Sequence, residues 1–201
     1  MPNPQSWYAE NVQPVNWHRA IISGMLGSLI MMSFVDTFYM MGVTPFCFET
    51  YLGSLLLMEL YQTKVWIVGF FANLVMGGVF GLLYGFVLED VFKRSGARNG
   101  IFLGFYHAIV AAVAVFPFFK LVEDASRVEM YPNFGFFGSG LGAATPLILF
   151  FGHLLFGACV GTFYGPVRMA RMRARFEEPE DTVYEEELIE ETGAEDQGKA
   201  A

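Results

Sequence analysis

The sequence predicts an all-α integral membrane protein in which four transmembrane helices form two parallel helix–outer segment–helix repeats. Three observations support this fold class. Hydrophobic residues make up 54% of the chain and charged residues only 16%, whereas a soluble domain has roughly 25% charged residues. Four apolar stretches reach the roughly 20 residues needed to cross a bilayer. The second half of the chain also matches the first without a gap, so that Phe70 falls on Phe150 and Val87 on Val167.

The net charge of −8 belongs to a short C-terminal tail. Residues 177–201 contain eleven acids and one base, whereas residues 1–176 contain nine acids and eleven bases. The body of the protein is therefore apolar and nearly neutral. This composition excludes a soluble enzyme, a nucleic-acid-binding protein and a disordered chain. The acidic tail is expected to be solvated, or alternatively to dock on a basic partner.

The four predicted spans cover residues 20–43, 65–88, 100–119 and 146–167. Basic residues accumulate at the start of the first span, between the second and third, and after the fourth, which places both termini in the cytoplasm. Residues 1–18 and 168–201 are then cytoplasmic segments of a protein of the inner membrane. The bases that set this orientation are Arg19, Lys93, Arg94, Arg98, Arg168, Arg171, Arg173 and Arg175. The last four are also expected to contact lipid headgroups.

The segment 44–60 between the first two spans is too short to cross the membrane. Thr44 and Pro45 suit the start of a helix, so we expect an amphipathic or partly re-entrant helix on the outer face with Glu49 toward water. The corresponding loop 120–145 is richer in glycine and should be less regular. Cys47 and Cys159 are not expected to form a disulfide.

The repeat consists of residues 19–99 and 100–167, and it is strongest in the second helix of each half. Glycines recur there every four residues and therefore lie on one helix face, where they allow close packing of helices. The predicted packing glycines are Gly77, Gly81, Gly85, Gly157, Gly161 and Gly165. We expect these two second helices to meet near a pseudo-twofold axis along the membrane normal.

Four polar side chains within the spans form a candidate intramembrane site: Asp36, Asn73, His107 and His153. Asp36 either bonds to another helix or belongs to a proton or ligand site. The predicted spans place the two histidines at different depths, roughly 10 Å or more apart along the membrane normal, so we expect interhelical hydrogen bonds and no shared haem. No motif indicates a catalytic residue, a metal site or a cofactor.

One resemblance rests on Pro45, on Leu52-Gly53, and on a helix that carries a Gly-x-x-x-Gly-x-x-Tyr motif in two copies. The copies are Phe71, Asn73, Leu74, Gly77, Gly81, Tyr84 and Phe151, His153, Leu154, Gly157, Gly161, Tyr164. These features resemble a family of small uncharacterised bacterial multi-pass membrane proteins. The family commonly has histidine where the first copy has Asn73. The resemblance implies a membrane fold, and it implies no activity and no site residues.

Two functions are compatible with the sequence, and neither is enzymatic. The first is a structural or accessory subunit that packs with other membrane subunits, or with copies of itself, in the lipid bilayer. The second is a small transporter or channel lined by the four polar side chains of the candidate site. The sequence favours the subunit, because the chain is small and carries no recognisable chemistry.

Overall fold

The computed structural model describes residues 15–60, 62–126, 130–131, 134–168 and 170–171. Every regular element within these ranges is helical. The acidic tail, Arg173, Arg175 and the first fourteen residues lie outside the described residues, so the predictions made for them stay predictions.

Within these ranges the chain forms six α-helices, interrupted or joined by shorter helical segments. In order they are α1 (Trp17–Met40), α2 (Phe48–Leu57), α3 (Thr63–Phe86), α4 (Ala97–Val110), α5 (Phe116–Ser126) and α6 (Ala144–Phe163). Helix α3 continues as a π-helical segment, Val87–Phe92, and a second π-helical segment, Ala111–Val115, joins α4 to α5. A 3₁₀ helix, Phe136–Leu141, precedes α6.

Four helical stretches of the described chain are long and apolar enough to cross a membrane: Trp17–Met40, Thr63–Phe92, Ala97–Ala125 and Ala144–Phe163. This confirms the prediction of a helical protein with four helices able to cross a membrane. The third stretch is longer than the predicted span, because the helix runs on through the π-helical segment and α5. At the ordinary rise of an α-helix it extends about 43 Å, which exceeds the thickness of the hydrocarbon core, roughly 30 Å.

Glycines bring the backbones of paired helices into direct contact. A Cβ atom on Gly24 of α1 would overlap the backbone of Gly77 and Gly81 in α3. A Cβ atom on Gly100 of α4 would overlap the Gly157 carbonyl in α6. Because lipid provides little hydrophobic driving force between helices, such close approach is a main source of their association.

Two of the predicted packing glycines behave differently. Gly85 faces side chains, and its nearest neighbours are Ala20 Cβ and Tyr164. Gly165 lies beyond the end of α6 and has a φ of +78°, so it turns the chain out of the helix instead of extending the stripe. The prediction for Gly165 was wrong because the helix ends at Phe163, four residues before the predicted span does.

The two helix pairs meet through α1 and α6. Gly27 of α1 lies against Phe156 and Val160 of α6, and Gly152 of α6 lies against Met31. Helices α3 and α6, which the sequence placed together at a pseudo-axis, touch only slightly. The expectation that the second helices meet was therefore wrong, because their glycine faces are already occupied by α1 and α4.

Helix α2 folds back against α3 and is largely buried. A Cβ atom on Gly53 would overlap the Val65 carbonyl, and one on Gly69 would overlap the Glu49 carbonyl. Glu49 itself is only 1% exposed. The expectation that it faces water was wrong, because the Gly53–Gly69 contact draws the beginning of α2 into the bundle beside the first two turns of α3.

An aromatic cluster holds the turn that leads into α2. Phe46 is fully buried, and its ring lies 5.6 Å from Tyr131 and 5.5 Å from Phe134, centroid to centroid. The Tyr131 hydroxyl donates to the Pro45 carbonyl at 3.2 Å. The backbone of Tyr131 is itself held by the Glu123 carboxylate, which accepts from its N–H at 3.1 Å.

The glycine contacts predict a sharp difference between two neighbouring glycines of α3. Gly81→Ala should destabilise the protein by about 1–3 kcal/mol, because its methyl group meets the backbone of α1. Gly78→Ala should have a small effect, since its methyl group meets the Ile21 and Met25 side chains at 3.3 and 3.5 Å. Thermal unfolding of both variants in detergent measures the difference. Equal melting temperatures would contradict the importance of backbone contact.

Candidate functional site

A cavity of about 70 Å³ lies among the helices at the centre of the bundle. Most of its wall is apolar, formed by methionine and phenylalanine side chains of α1, α3 and α6. Besides Ser28, four polar or ionisable side chains from four helices line it: Glu49 of α2, Asn73 of α3, His107 of α4 and His153 of α6. Of the four residues predicted to form an intramembrane site, three therefore line one cavity.

The two histidines lie side by side, with ring centroids 4.8 Å apart. The expected separation in depth was wrong, because the helices begin earlier than the predicted spans. His107 lies ten residues after the start of α4 and His153 nine residues after the start of α6. At the ordinary helical rise, the two rings lie about 14–15 Å from the starts of their helices, which is about half the thickness of a hydrocarbon core.

Hydrogen bonds determine which imidazole nitrogens remain available to bind a ligand. His153 Nδ1 lies 2.7 Å from the Leu149 carbonyl, so this nitrogen donates and Nε2 is left as an acceptor in the neutral ring. His107 Nδ1 lies 3.3 Å from the Tyr84 hydroxyl on α3. One bond is thus interhelical, as expected, and the other stays within α6.

Asn73 links α3 to α1 through two hydrogen bonds. Its side-chain amide donates to Met32 Sδ at 3.3 Å, and its backbone carbonyl accepts from the Ser28 hydroxyl at 3.1 Å. Opposite, Ala111 and Val115 of the π-helical segment line the cavity. Such single-turn π-helical insertions often occur at functional sites.

Asp36 lies one turn before the end of α1, next to the cavity, and faces the start of α2. One atom each from Asp36, Cys47 and Glu49 lies within 4.8 Å of the other two. The Cys47 thiol lies 3.4 Å from Glu49 Oε2 and 3.1 Å from the Thr50 hydroxyl. We call Asp36, Cys47 and Glu49 the carboxylate–thiol cluster.

The Asp36 and Glu49 carboxyl groups lie within hydrogen-bonding reach of each other, and two oxygen atoms of this pair have no other hydrogen-bond donor in the part of the chain that the structure describes. They are Asp36 Oδ1 and Glu49 Oε1, and both are inaccessible to solvent. A buried carboxylate without a donor is costly. The arrangement therefore calls for a positive species between the two carboxyl groups, either a shared proton or a metal ion.

Burial and the neighbouring carboxylate of Asp36 raise the pKa of Glu49 from its ordinary 4.5 to about 7. Burial likewise raises the pKa of the Cys47 thiol to about 11. Both groups therefore favour their protonated forms when no other cation is present.

Sequence reasoning missed Glu49 and Cys47 as site residues. Glu49 is the one acid in α2, Phe48–Leu57, and an acid in so apolar a helix was the available signal. Cys47 carried no signal of its own, since its role depends on the fold of residues 44–47.

Comparisons of the chain with protein-family models, with curated proteins and with solved structures find no match. The resemblance to small bacterial multi-pass membrane proteins thus stays a prediction.

The raised pKa of Glu49 predicts how stability depends on pH. The folded state binds the Glu49 proton more tightly than the unfolded state, so this stabilisation is complete below about pH 4.5 and is lost as the pH rises through about 7. Glu49→Gln keeps a neutral side chain at every pH. We therefore expect its melting temperature, relative to that of the wild type, to rise across this window in chelator-treated detergent solution.

Glu59→Gln is the matched control, because Glu59 is partly exposed and pairs with Lys64. It should keep the wild-type pH profile. If the melting temperature of Glu49→Gln varies with pH in parallel with that of the wild type, Glu49 is solvated and the prediction is contradicted.

Proposed function

We propose that the protein is a small membrane transporter or channel that passes a small cation, either a proton or a metal ion, through the centre of its helix bundle. The observation that carries this proposal is the convergence of Glu49, Asn73, His107 and His153 on one cavity. A buried apolar cavity with a few convergent polar groups is the usual form of a binding site.

The cost of this arrangement supports a functional role. Ionisable side chains at membrane depth are expensive and generally mark ion paths or binding sites. Backbone that departs from a continuous spanning helix is tolerated at that depth only where protein or a cavity surrounds it. The turn at residues 44–47 and the re-entrant helix α2 fit this condition, since they place Glu49 in the cavity wall.

The chemistry of the lining favours a cation over an anion. The carboxyl groups of Glu49 in the cavity wall and of Asp36 beside it are negative or proton-bound, and His153 offers an acceptor nitrogen. Among the described residues that line the cavity, none is lysine or arginine. An anion would find no positive partner there.

Polar groups continue toward the other end of the bundle. Tyr84 lies beside His107, and the Tyr164 hydroxyl donates to Glu89 Oε1 at 2.7 Å. The backbone N–H of Asn16 in turn donates to the Tyr164 hydroxyl at 3.1 Å. These groups offer a route from the carboxylate–thiol cluster through the histidines to the opposite surface.

We further propose that both termini lie in the cytoplasm and that the membrane is the inner membrane. The contacts of Tyr164 with Asn16 and Glu89 gather the start of α1 and the ends of α3 and α6 at one end. Four bases belong to this end: Arg19, Lys93, Arg94 and Arg98. At the other end Lys64 pairs with Glu59, and Lys120 pairs with Glu123 and Asp124. This asymmetry supports the orientation.

We also propose that the two helix pairs derive from one duplicated unit. In the first pair Gly81 meets Ala20 and Gly24, and in the second Gly161 meets Gly96 and Gly100. Gly81 and Gly161 occupy equivalent positions in the two halves. Their partners on the first helix differ by four residues, so the first helix of the second half is shifted by one turn along its partner. The shared mode of packing supports the repeat.

A role as an accessory subunit is the second candidate, and its support lies in the sequence. Eleven acids in residues 177–201 offer a surface for a basic partner. If the chain is a subunit, native mass spectrometry of protein extracted from its own membrane in mild detergent should show other polypeptides in fixed stoichiometry. A monomer or homo-oligomer would oppose this role.

Reconstituted liposomes test the transport proposal. Purified protein is inserted into vesicles that contain a pH-sensitive or a metal-sensitive dye, and a proton or metal-ion gradient is imposed. We expect the wild type to conduct at least one of these ions above protein-free vesicles. Glu49→Gln and His153→Asn should each reduce the flux to background. The second variant gives position 153 the asparagine that the first repeat copy has at position 73.

Glu59→Gln should conduct as the wild type does, since its side chain lies outside the cavity wall. Wild-type vesicles no more permeable than protein-free vesicles to either ion would overturn the proposal.

A further inference from the structure

The carboxylate–thiol cluster of Asp36, Cys47 and Glu49 brings together three ligand atoms from two chain segments. Asp36 comes from the last turns of α1, whereas Cys47 and Glu49 flank the first residue of α2. The side chains of Cys47 and Glu49 are buried, and Asp36 is half-buried. We propose that this cluster binds a divalent transition-metal ion of the Zn²⁺ type.

The spacing of Cys47 Sγ and Glu49 Oε2 fits such an ion, and an Asp36 oxygen lies within 4.8 Å of both residues' ligand atoms. Zn²⁺ binds sulfur at about 2.3 Å and carboxylate oxygen at about 2.0–2.2 Å in tetrahedral geometry. Two such ligands of one ion are then separated by about 3.5 Å. The observed distance from Cys47 Sγ to Glu49 Oε2 is 3.4 Å.

The buried carboxyl pair of Asp36 and Glu49 gives further support, because no donor from outside the pair reaches two of its oxygens. Glu49 is 1% exposed, and apart from the Asp36 carboxyl group its Oε1 has no hydrogen-bonding partner in the described chain. Asp36 Oδ1 is likewise buried without a donor there. A bound dication would satisfy both oxygens and offset the repulsion between the two carboxylates. The cavity beside Glu49 leaves room for a water molecule or a further ligand in a fourth coordination position.

The donor set selects the type of metal ion. Mg²⁺ and Ca²⁺ prefer oxygen ligands alone, whereas a thiolate favours softer ions. Metal binding displaces the thiol proton, which is released to solvent as the sulfur–metal bond forms. One thiolate with two carboxylates therefore points to Zn²⁺ and its chemical relatives.

This inference deepens the proposed function and rests on it, because it names an ion class for a site at the outer end of the proposed route. The two can fail separately. Proton flux without metal binding would overturn only the metal site, and metal binding without flux of either ion would overturn only transport.

Cobalt binding is the direct test. The full-length protein in detergent is stripped with a chelator and titrated with Co²⁺, which takes Zn²⁺ sites and reports a sulfur ligand by a thiolate-to-metal charge-transfer band. We expect one Co²⁺ per chain with this band, and loss of the band when Zn²⁺ is added. The acids of residues 177–201 cannot produce the band, since that segment has no cysteine.

Two matched cysteine variants locate the site. Cys47→Ser should abolish the band, whereas Cys159→Ser should retain it, because Cys159 lies in α6 outside the cluster. Glu49→Gln and Asp36→Asn should keep the fold, monitored by helical circular dichroism and size-exclusion elution. They should weaken Co²⁺ binding by more than about 100-fold, since even outer-shell partners of a metal contribute about 10–100-fold.

A wild-type protein that shows no charge-transfer band at excess Co²⁺ would overturn the proposal. A band that persists in Cys47→Ser, or Co²⁺ affinity unchanged in folded Glu49→Gln, would overturn it equally.

Discussion

Contact between helix backbones at glycines is the constraint on which the rest of this structure depends. In lipid, apolar side chains gain little by leaving one apolar environment for another, so helices associate where their backbones can approach. Gly24 meets α3 and Gly100 meets α6 in this way, which forms the two helix pairs. The contact between Gly53 and α3 has a further consequence. It holds α2 so close to α3 that the Glu49 backbone carbonyl contacts Gly69. Any side chain at position 69 would overlap this carbonyl.

The candidate site follows from that contact. With α2 held against α3, the turn at residues 44–47 enters the bundle, where the Tyr131 hydroxyl bonds to the backbone of Pro45 and Cys47. The Cys47 thiol and the Glu49 carboxylate then face Asp36. The same insertion leaves a cavity between α2 and the histidines. Residues 44–57 are too short to fill the space that a full transmembrane helix would occupy. The buried Glu49 carboxyl group and two imidazoles line this cavity, with the Cys47 thiol and the Asp36 carboxyl group beside it, and this arrangement is the basis for proposing a site for a positive ion.

The sequence predicted the four spans well, since hydropathy and length alone determine which helices can cross a bilayer. It also singled out Asn73, His107 and His153, which line one cavity, because polar residues stand out in apolar helices. It did not predict that the histidines are neighbours, since the starts of their helices lie three and two residues before the predicted spans, and each such error shifts a side chain by about 3–5 Å along the axis. The burial of Glu49 was equally beyond reach. A surface helix and a re-entrant helix have the same short apolar pattern, and the difference rests on Gly53 and Gly69, which are distant from each other in sequence.

The reactivity of Cys47 tests the re-entrant position of α2 most directly. Two single-cysteine proteins are compared in detergent with chelator present: Cys159→Ser, which keeps Cys47, and Cys47→Ser/Cys159→Ser/Met58→Cys, which places the thiol at an exposed position after α2. If the first turn of α2 is buried as described, a charged maleimide should label the cysteine at position 58 rapidly and Cys47 only after unfolding. Equal labelling rates in the folded proteins would contradict the account and return α2 to the membrane surface.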